Sequence, residues 1–361
     1  MGDRLCTVEM LGINPSFWRD RSVFLTGHTG FKGGWLALWL SQMGAKVHGF
    51  SISVPTHPSF YAETSIRSRL QGSTLGDIRD LPLLSSAMRE AMPSLVIHMA
   101  AQPLVREGYH DPVNTFSTNL LGTINVLEAA RDVGSVEALI NVTTDKCYEN
   151  NELSRCFEEA DRLGGDDPYS ASKACAEIAT AAYRHSFLAG RGVKVATARA
   201  GNVIGGGDWA ADRLIPDFFR SLELGEVLSV RSPHAVRPWQ HVLEPLSGYL
   251  MLGEKLLSEK GEFAEAWNFG PEELDAKPVS WVVEYLTEKF PEARWQVDSS
   301  PQPPEANVLR LDSTKARDKL GWSSRWSLDA ALSKTVEWHQ GWLEGHRIDD
   351  LSLRQIEMYA S

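Results

Sequence analysis

The feature that most constrains this chain is a glycine-rich turn between a short apolar run and an amphipathic stretch. Residues 22–26 predict a buried strand, and residues 35–43 predict a helix. Between them, Gly27, Gly30 and Gly33 are spaced three residues apart. In such a turn the first glycine allows the tight bend, the second lets a pyrophosphate approach the backbone, and the third brings the helix against the strand. The pattern predicts a dinucleotide site formed by Gly27, His28, Gly30, Phe31, Lys32 and Gly33.

Further apolar runs alternate with helical patterns along the first half of the chain. Strands are predicted at residues 46–50, 95–100, 138–143 and 194–199. This alternation predicts an α/β fold, a Rossmann-type doubly wound parallel sheet. We expect residues 18–200 to form this domain, with 241–270 returning to it. Residues 201–240 and 271–361, which contain many Gly, Pro and Trp residues, predict a smaller, mixed domain that binds the substrate.

Composition excludes several classes of partner. The net charge of −11 over 361 residues argues against binding to nucleic acid or to an anionic membrane. No apolar run approaches the roughly 20 residues that a membrane-spanning helix needs, and the first residues do not resemble a secretory signal. We therefore expect a cytoplasmic protein. The four cysteines lack metal-ligand spacing, which predicts reduced structural thiols and no metal site: Cys6, Cys147, Cys156 and Cys175.

The adenosine end of the predicted site departs from the usual pattern. NAD-binding domains normally carry Asp or Glu about 20 residues after the turn, and here the second strand runs into Ser51. No Arg stands there for a 2′-phosphate, so NAD is favoured over NADP. Asp77 and Ile78 are expected either to contact adenine or to form a surface loop. Bulky side chains at His28 and Lys32 predict only moderate NAD affinity. The cofactor ribose is expected near the end of the fourth strand, at Ala100, Ala101 and Gln102.

A Tyr-x-x-x-Lys pair supplies a candidate base. Tyr169 and Lys173 are four residues apart, which places them on one face of a helix that Pro168 is suited to begin. A neighbouring ammonium lowers the pKa of a phenol from its usual value of about 10. The pair therefore predicts a tyrosinate that acts as a base.

A second group of polar residues follows the strand predicted at 138–143. The carboxyl ends of parallel strands are where substrates bind in open α/β sheets. A hydroxyl, a carboxyl and an amine at one strand end provide a hydrogen-bond donor, an acid and a base, unless the carboxylate of Asp145 only caps a turn. The residues are Thr143, Thr144, Asp145 and Lys146.

Five segments give the chain a family resemblance: TGHTGFKGGW (26–35), AQPLVR (101–106), TDKCY (144–148), RAGNVIGGGDW (199–209) and RPWQHV (237–242). They resemble the extended short-chain dehydrogenases/reductases that remodel nucleotide sugars, and among these the CDP-glucose 4,6-dehydratases. The resemblance covers residues 17–342. It implies an NAD-dependent hydro-lyase that is a homodimer or a homotetramer, and whose product serves the 3,6-dideoxysugars of lipopolysaccharide O-antigens.

The resemblance also implies a mechanism. The Tyr169 phenolate, held by Lys173, takes the proton of the sugar 4-hydroxyl while hydride leaves C4 for NAD, and Thr144 donates a hydrogen bond to the same oxygen. Asp145 protonates the departing 6-hydroxyl. Related dehydratases carry Glu where Lys146 stands, so we hypothesise that Lys146 removes the C5 proton, its pKa lowered by Lys173 and the nicotinamide. Hydride then returns to C6, giving CDP-4-keto-6-deoxyglucose.

Contacts to the nucleotide sugar are predicted for a set of polar residues: Gln102, Arg106, Asn202, Arg213, Arg237, His241 and Arg310. A planar guanidinium suits phosphate, although each arginine could equally form a surface ion pair. His241 could cap a helix, and Trp209 and Trp239 could stack on a base or pack in the core. The alternative functions are a nucleotide-sugar 4-epimerase, a 4,6-dehydratase for another nucleotide, and a non-catalytic NAD-binding regulator.

Overall fold

The structure is a computed structural model that describes residues 12–150, 155–259, 261–301 and 308–361. Cys6 lies outside these residues, whereas Cys147, Cys156 and Cys175 are free thiols. The strands are β1 Ser22–Thr26, β2 Lys46–Ser51, β3 Gly72–Leu75, β4 Leu95–His98, β5 Ala138–Val142, β6 Lys194–Ala200, β7 Asn202–Ile204, β8 Val227–Val230, β9 Val236–His241, β10 Ala266–Phe269, β11 Ala276–Pro278 and β12 Arg294–Val297. The helices are α1 Pro15–Trp18, α2 Phe31–Gln42, α3 Phe60–Glu63, α4 Ile66–Arg69, α5 Leu81–Ala91, α6 Val105–His110, α7 Pro112–Phe116, α8 Gly122–Asp132, α9 Pro168–Tyr183, α10 Leu214–Leu224, α11 Leu243–Ser258, α12 Val279–Lys289, α13 Leu328–Leu343 and α14 Ile348–Ala360.

In the described part of the chain, seven strands form one parallel sheet in the order β10-β6-β5-β4-β1-β2-β3. The chain runs outward from β1 through β2 to β3, and then crosses to β4 on the other side of β1. This reversal opens a crevice at the carboxyl ends of β1 and β4, the usual ligand position in such sheets. The predicted Rossmann-type fold is confirmed, and β10 adds the last strand beside β6.

The side chains of β1 show why the sheet is covered on both faces. Val23 and Leu25 join the core cluster that includes residues of α2 and α11, whereas Phe24 belongs to the cluster with α5 and α8. Successive side chains of a strand point to opposite faces, so a continuous apolar run requires helices on both sides.

Helix α2 begins earlier than the sequence predicts, at Phe31 rather than residue 35. Its first turn contains Gly33 and Gly34, which have low helix propensity. A Cβ on Gly33 would lie 2.0 Å from the Gly27 carbonyl oxygen, so close packing against the turn requires glycine there. Tertiary packing therefore overrides propensity at this position.

Two small sheets complete the described fold, and the predicted smaller mixed part is present. In one sheet β9 pairs antiparallel with β11 and parallel with β7, and in the other β8 and β12 are parallel. They pack with α10, α12 and α13 around a separate core cluster. Within the ranges that the structure describes, no helix has the length and apolarity needed to cross a bilayer.

Candidate active site

A single cleft of about 570 Å³ runs along the carboxyl ends of β1, β4, β5 and β6 and on to α10 and β8. The Rossmann-type sheet and the smaller sheets both contribute to its walls. Among the predicted site residues, the following line it: Gly27, Gly30, Phe31, Lys32, Gly33, Ser51, Asp77, Ile78, Ala100, Ala101, Arg106, Thr143, Thr144, Lys146, Tyr169, Lys173, Asn202, Arg213 and Arg237.

The glycine turn is built for the close approach of a ligand. Gly27 has a φ of +83°, and a Cβ there would lie 2.8 Å from the Ala100 backbone nitrogen. Gly30 is the N-cap of α2 and makes no side-chain capping bond, so the first N–H groups of the helix have no side-chain partner at the cap. Such groups, together with the helix dipole, hold phosphate.

His28 does not line this cleft, contrary to the prediction. Its ring is fully buried beneath the turn, with Nδ1 2.9 Å from the Ser51 hydroxyl and Nε2 2.8 Å from the Ser73 hydroxyl. Burial lowers the pKa of His28 to about 4, although a bond involving the Phe50 backbone opposes this. His28 therefore supports the turn from the side away from the cleft, and Gly49 leaves room for its ring.

Lys32 lines the cleft and reaches the middle of α11. Its Nζ donates to the Tyr249 hydroxyl at 3.0 Å and lies over the Tyr249 ring. Burial, together with the positive charges of Lys173 and Arg213, lowers the pKa of Lys32 to about 7. The wall beside the glycine turn is thus already rich in positive charge.

At the adenosine end, Asp77 and Ile78 both line the cleft rather than forming a remote surface loop. Both carboxylate oxygens of Asp77 accept hydrogen bonds from Arg79. The hydrogen bond from Arg79 lowers the pKa of Asp77. Arg79 also donates to Asn114, so this end of the cleft is fixed to α7.

Gln102 is the second residue that is not in its predicted place. Its amide nitrogen donates to the Thr115 hydroxyl at 2.7 Å, and its Oε1 accepts from the Leu104 backbone at 2.6 Å. Its own backbone nitrogen donates to Asn119. These bonds hold the loop after β4 in shape, and the side chain does not reach the cleft wall that Ala100 and Ala101 form.

The polar residues after β5 form a connected group. Thr144 begins a short 3₁₀ turn, Asp145–Cys147, and its hydroxyl donates to Asp145 Oδ1 at 3.0 Å. Lys146 Nζ lies 3.2 Å from the same oxygen and 3.4 Å from Asn202 Oδ1. Asp145 is 1 % exposed and lies behind Thr144 and Lys146, which line the cleft. The predicted acid and base are therefore in direct contact.

Tyr169 and Lys173 lie on one face of α9, as predicted, but their interaction differs from the expected one. Lys173 Nζ donates to the Val142 carbonyl at 3.2 Å. Burial raises the pKa of Tyr169 to about 12, opposed by a bond with the Thr144 hydroxyl and by the charge of Arg213. Burial also lowers the pKa of Lys173 to about 8. The expected lowering of the phenol pKa by Lys173 was wrong for this arrangement, because burial dominates.

The arginines separate into two groups. Arg213 forms an ion pair with Asp208 at 2.8 Å, whereas Arg106 and Arg231 share Asp212 at 3.4 and 2.9 Å. Arg237 is buried at the cleft wall, where it donates to the Val236 carbonyl. The sequence reading missed the role of Arg231, because nothing in the loop that contains it shows that it returns to the cleft.

Two predicted substrate ligands lie elsewhere. His241 is fully buried, its Nδ1 accepts from the Leu243 backbone at 3.3 Å, and its ring packs edge-on against Trp326. His241 thus accepts a hydrogen bond from the first residue of α11, in agreement with the alternative prediction that it caps a helix. Arg310 does not line the cleft and forms an ion pair with Glu273 at 3.1 Å.

The two tryptophans also differ from each other. Trp239 is buried in the core of the smaller part of the fold and donates to the Lys277 carbonyl. Trp209 lines the cleft and packs edge-on against Trp338 and Trp342. Trp239 also lines the cleft, so both tryptophans border the space that a ligand would occupy.

Comparison with known proteins identifies the family. The sequence profile described as GDP-mannose 4,6 dehydratase matches residues 24–335. The chain belongs to this family. It is 46 % identical to the CDP-glucose 4,6-dehydratase of Salmonella typhimurium over 97 % of this chain and 99 % of the relative.

Solved structures share the architecture of this dehydratase family member. The dTDP-glucose 4,6-dehydratase of Streptomyces venezuelae, solved with NAD bound, superposes with a TM-score of 0.72 at 25 % identity. The match covers 89 % of this chain and 98 % of that one. A UDP-glucose 4-epimerase of Thermotoga maritima has a TM-score of 0.76 at 22 % identity, covering 89 % of this chain and 99 % of its own, and shows a shared fold alone.

Behind the cleft residues of α9 and β5 lies a buried ion pair that was not predicted from the sequence. Arg199 donates to both carboxylate oxygens of Glu177 at 2.9 Å, and both side chains are 3 % exposed. Glu177 also accepts from the hydroxyls of Thr143 and Thr197. The available signal was spacing, because Glu177 follows Lys173 by one further helical turn on α9.

Proposed function

We propose that the chain dehydrates CDP-glucose to CDP-4-keto-6-deoxyglucose with bound NAD as cofactor. The observation that carries the proposal is the contact between the buried Asp145 and Lys146, which lines, together with Tyr169, a cleft that can hold a dinucleotide. A simple alcohol dehydrogenase or a 4-epimerase does not need this second acid–base pair. The 46 % identical relative supports the choice of CDP-glucose.

The residues present fit NAD. The uncapped start of α2 at Gly30 provides N–H donors for the pyrophosphate, and Ser51, Asp77 and Ile78 line the adenosine end. When bound, NAD would supply the acceptor for hydride from C4 and the donor of the same hydride to C6, so the reaction would have no net redox change. Lys173 and Tyr169 both line the cleft, which supports a place for them beside this exchange.

The positively charged side of the cleft holds the two phosphates. Arg106, Arg213, Arg231 and Arg237 line it, and a planar guanidinium can donate two parallel hydrogen bonds to phosphate oxygens. Their aspartate partners hold three of these groups in place before the substrate arrives. Anchoring the phosphates orients the hexose toward Tyr169, which is close enough to Arg213 for the guanidinium charge to influence its phenol.

Proton transfer at the sugar 4-hydroxyl falls to Tyr169 and Thr144. The Thr144 hydroxyl and the Arg213 charge both lower the pKa of Tyr169 against the effect of burial. A deprotonated phenol takes the 4-hydroxyl proton, and Thr144 donates a hydrogen bond at the same oxygen. The new 4-ketone makes the C5 proton acidic.

Elimination of water uses the Asp145–Lys146 pair. Transfer of one proton across the 3.2 Å contact converts the ion pair into an amine and a carboxylic acid. The Lys146 amine takes the C5 proton, and the Asp145 carboxyl gives its proton to the departing 6-hydroxyl, so water leaves and the ion pair re-forms. The pair therefore needs no other proton source.

Incubation with CDP-, dTDP- and GDP-glucose in the presence of NAD tests the proposal. A 4-keto-6-deoxy sugar develops a chromophore in alkali, and an epimer does not. We expect absorbance only with CDP-glucose. An epimerised product without the chromophore would show that the protein is a 4-epimerase rather than a dehydratase. Binding of CDP-glucose without turnover would favour a non-catalytic NAD-binding regulator.

The role of Lys146 has a separate test. Lys146→Met is expected to abolish exchange of the C5 proton with deuterated solvent while C4 oxidation remains detectable. Lys46→Met, at an exposed lysine paired with Asp20, is the matched control. Unchanged C5 exchange in Lys146→Met would remove this lysine from the mechanism.

We also propose that the protein is a cytoplasmic homodimer or homotetramer whose product serves 3,6-dideoxysugar synthesis. Large apolar side chains are exposed on these helices or directly beside them, which supports pairing through α7, α8 and α9: Val113 in α7, Leu121 just before α8, Ile178 in α9 and Phe187 just after α9. Sedimentation measurements on wild type and Ile178→Glu would test the interface. The charged variant is expected to dissociate.

We infer that residues 18–200, with 241–270, form the NAD-binding domain, and that 201–240 with 271–361 bind the nucleotide sugar. The pairing of β10 with β6 and the small sheets formed by β7, β8, β9, β11 and β12 support it.

A further inference from the structure

The cleft continues past the arginines into a region formed by α10 and β8. Asp217 lies one helical turn after Arg213, since its backbone nitrogen donates to the Arg213 carbonyl at 2.9 Å. Four residues advance a helix by about 6 Å. A nucleotide sugar with its hexose at Tyr169 and its phosphates at the arginines therefore extends its base toward Asp217. The walls of this region are Ile215, Pro216, Leu228, Ser229 and Val230.

Asp217 differs from the other acidic residues of the cleft. Asp208 and Asp212 form ion pairs with arginines of the phosphate region, and Asp77 is bound by Arg79 at the opposite end. Asp217 is half-buried and lines the cleft. Its Oδ1 accepts a hydrogen bond from Arg220, which lies on the same helix and does not line the cleft. Its Oδ2 makes no hydrogen bond with any residue that the structure describes. An acceptor therefore remains available at the base end of the cleft.

Pyrimidine bases differ in what they present to such an acceptor. Cytosine carries an exocyclic amine that donates, whereas uracil and thymine carry a carbonyl oxygen at the same ring position. A carboxylate accepts a hydrogen bond from the cytosine amine but meets the lone pairs of the uracil or thymine oxygen. A carboxylate at this position thus attracts one base and repels the other two.

We propose that Asp217 accepts a hydrogen bond from the cytosine amine and so selects CDP-linked sugars over UDP- and dTDP-linked ones. This inference rests on the proposed function and adds the residue that determines its nucleotide specificity. Asp217 is a binding residue with no part in proton or hydride transfer. Its loss should therefore change KM much more than kcat.

The test uses the full chain with NAD and measures kcat/KM for CDP-, UDP- and dTDP-glucose. Asp217→Asn offers an amide that can donate to the carbonyl of uracil or thymine. We expect kcat/KM for CDP-glucose to fall about 10- to 100-fold, and the CDP/UDP ratio to fall at least about tenfold. Asp212→Asn is the matched control in the phosphate region and should affect all three substrates by a similar factor.

The outcomes separate the two proposals. A wild-type enzyme that does not turn over CDP-glucose would refute the proposed function itself. A folded Asp217→Asn enzyme with an unchanged CDP/UDP ratio would refute only the role of Asp217. If that variant does not fold, Asp217→Glu serves instead, because it retains the acceptor but moves it. The displaced acceptor should then raise KM for CDP-glucose more than for the other two substrates and so lower the CDP/UDP ratio, and equal changes for all three substrates would overturn the inference.

Discussion

The buried pair of Glu177 and Arg199 should make the protein unusually sensitive to the loss of one charge. Both side chains are 3 % exposed and joined by two hydrogen bonds of 2.9 Å, so solvent does not screen the interaction. Glu177→Gln keeps the shape but leaves the guanidinium without a counter-ion. Breaking a buried pair in this way costs about 3–5 kcal/mol, against about 0–1 kcal/mol for an exposed pair.

Equilibrium urea unfolding measures this difference. Asp20→Asn, which removes an exposed pair with Lys46, is the control, and the double variant Glu177→Gln/Arg199→Met completes a cycle. The double variant should lose less stability than the sum of its single changes, because neither charge is then left unpaired. If Glu177→Gln cost no more than the control, the pair would not be the stabilising element that its geometry indicates.

The effect of pH on this pair has a defined sign. Burial would raise the pKa of Glu177, but Arg199 and the two threonine hydroxyls together bring it below the ordinary value of 4.5. A carboxylate with a depressed pKa contributes its full stabilisation above that value and loses it as the pH falls. Wild type and Glu177→Gln should therefore differ most near neutral pH, and converge in acid.

Three further predictions concern the cofactor site and the buried histidines. Gly33→Ala should weaken NAD binding at least about tenfold by calorimetry, because its Cβ would lie 2.0 Å from the Gly27 oxygen, whereas Gly134→Ala, with open space around it, should not. Lys32→Met should favour binding of NAD over NADH in a competition assay. The substitution removes a positive charge near Lys173, and the oxidised nicotinamide ring is itself positive. Equal changes in the dissociation constants of NAD and NADH would contradict this. Burial lowers the pKa of both His98 and His241 from 6.5 to about 3. For each histidine, the free energy of unfolding should therefore fall by about 1.4 kcal/mol per pH unit as the pH falls below 6.5. A urea midpoint that is unchanged between pH 8 and pH 5 would refute this.

Local patterns carried most of what the sequence could predict. The glycine turn, the Tyr169–Lys173 spacing and the strand-end residues at 143–146 depend on neighbours in the chain, and the structure brings all of them to one cleft. Parallel strands present their carboxyl ends at the same edge, so strand order alone gathers such residues. The fold class followed from the same alternation of strands and helices.

Long-range partners could not be predicted in this way. His28 turns beneath the glycine turn because Ser51 and Ser73 are below it, and Gln102 is held by Thr115. Arg310 pairs with Glu273 outside the cleft. In each case a polar side chain forms its hydrogen bond with a residue far along the chain or in another element. Local sequence patterns do not show which of these distant residues lie close together in space.

The sequence by itself determined the chemistry available at the site: a turn for phosphates, a phenol with a lysine, and a carboxyl beside an amine. Tertiary structure decided how these groups act on one another. It placed Lys146 3.2 Å from Asp145, buried Tyr169 so that its pKa rises, and set Glu177 and Arg199 behind Thr143. Reactivity depends on burial and on neighbouring charge, and both are properties of the packed chain rather than of its order.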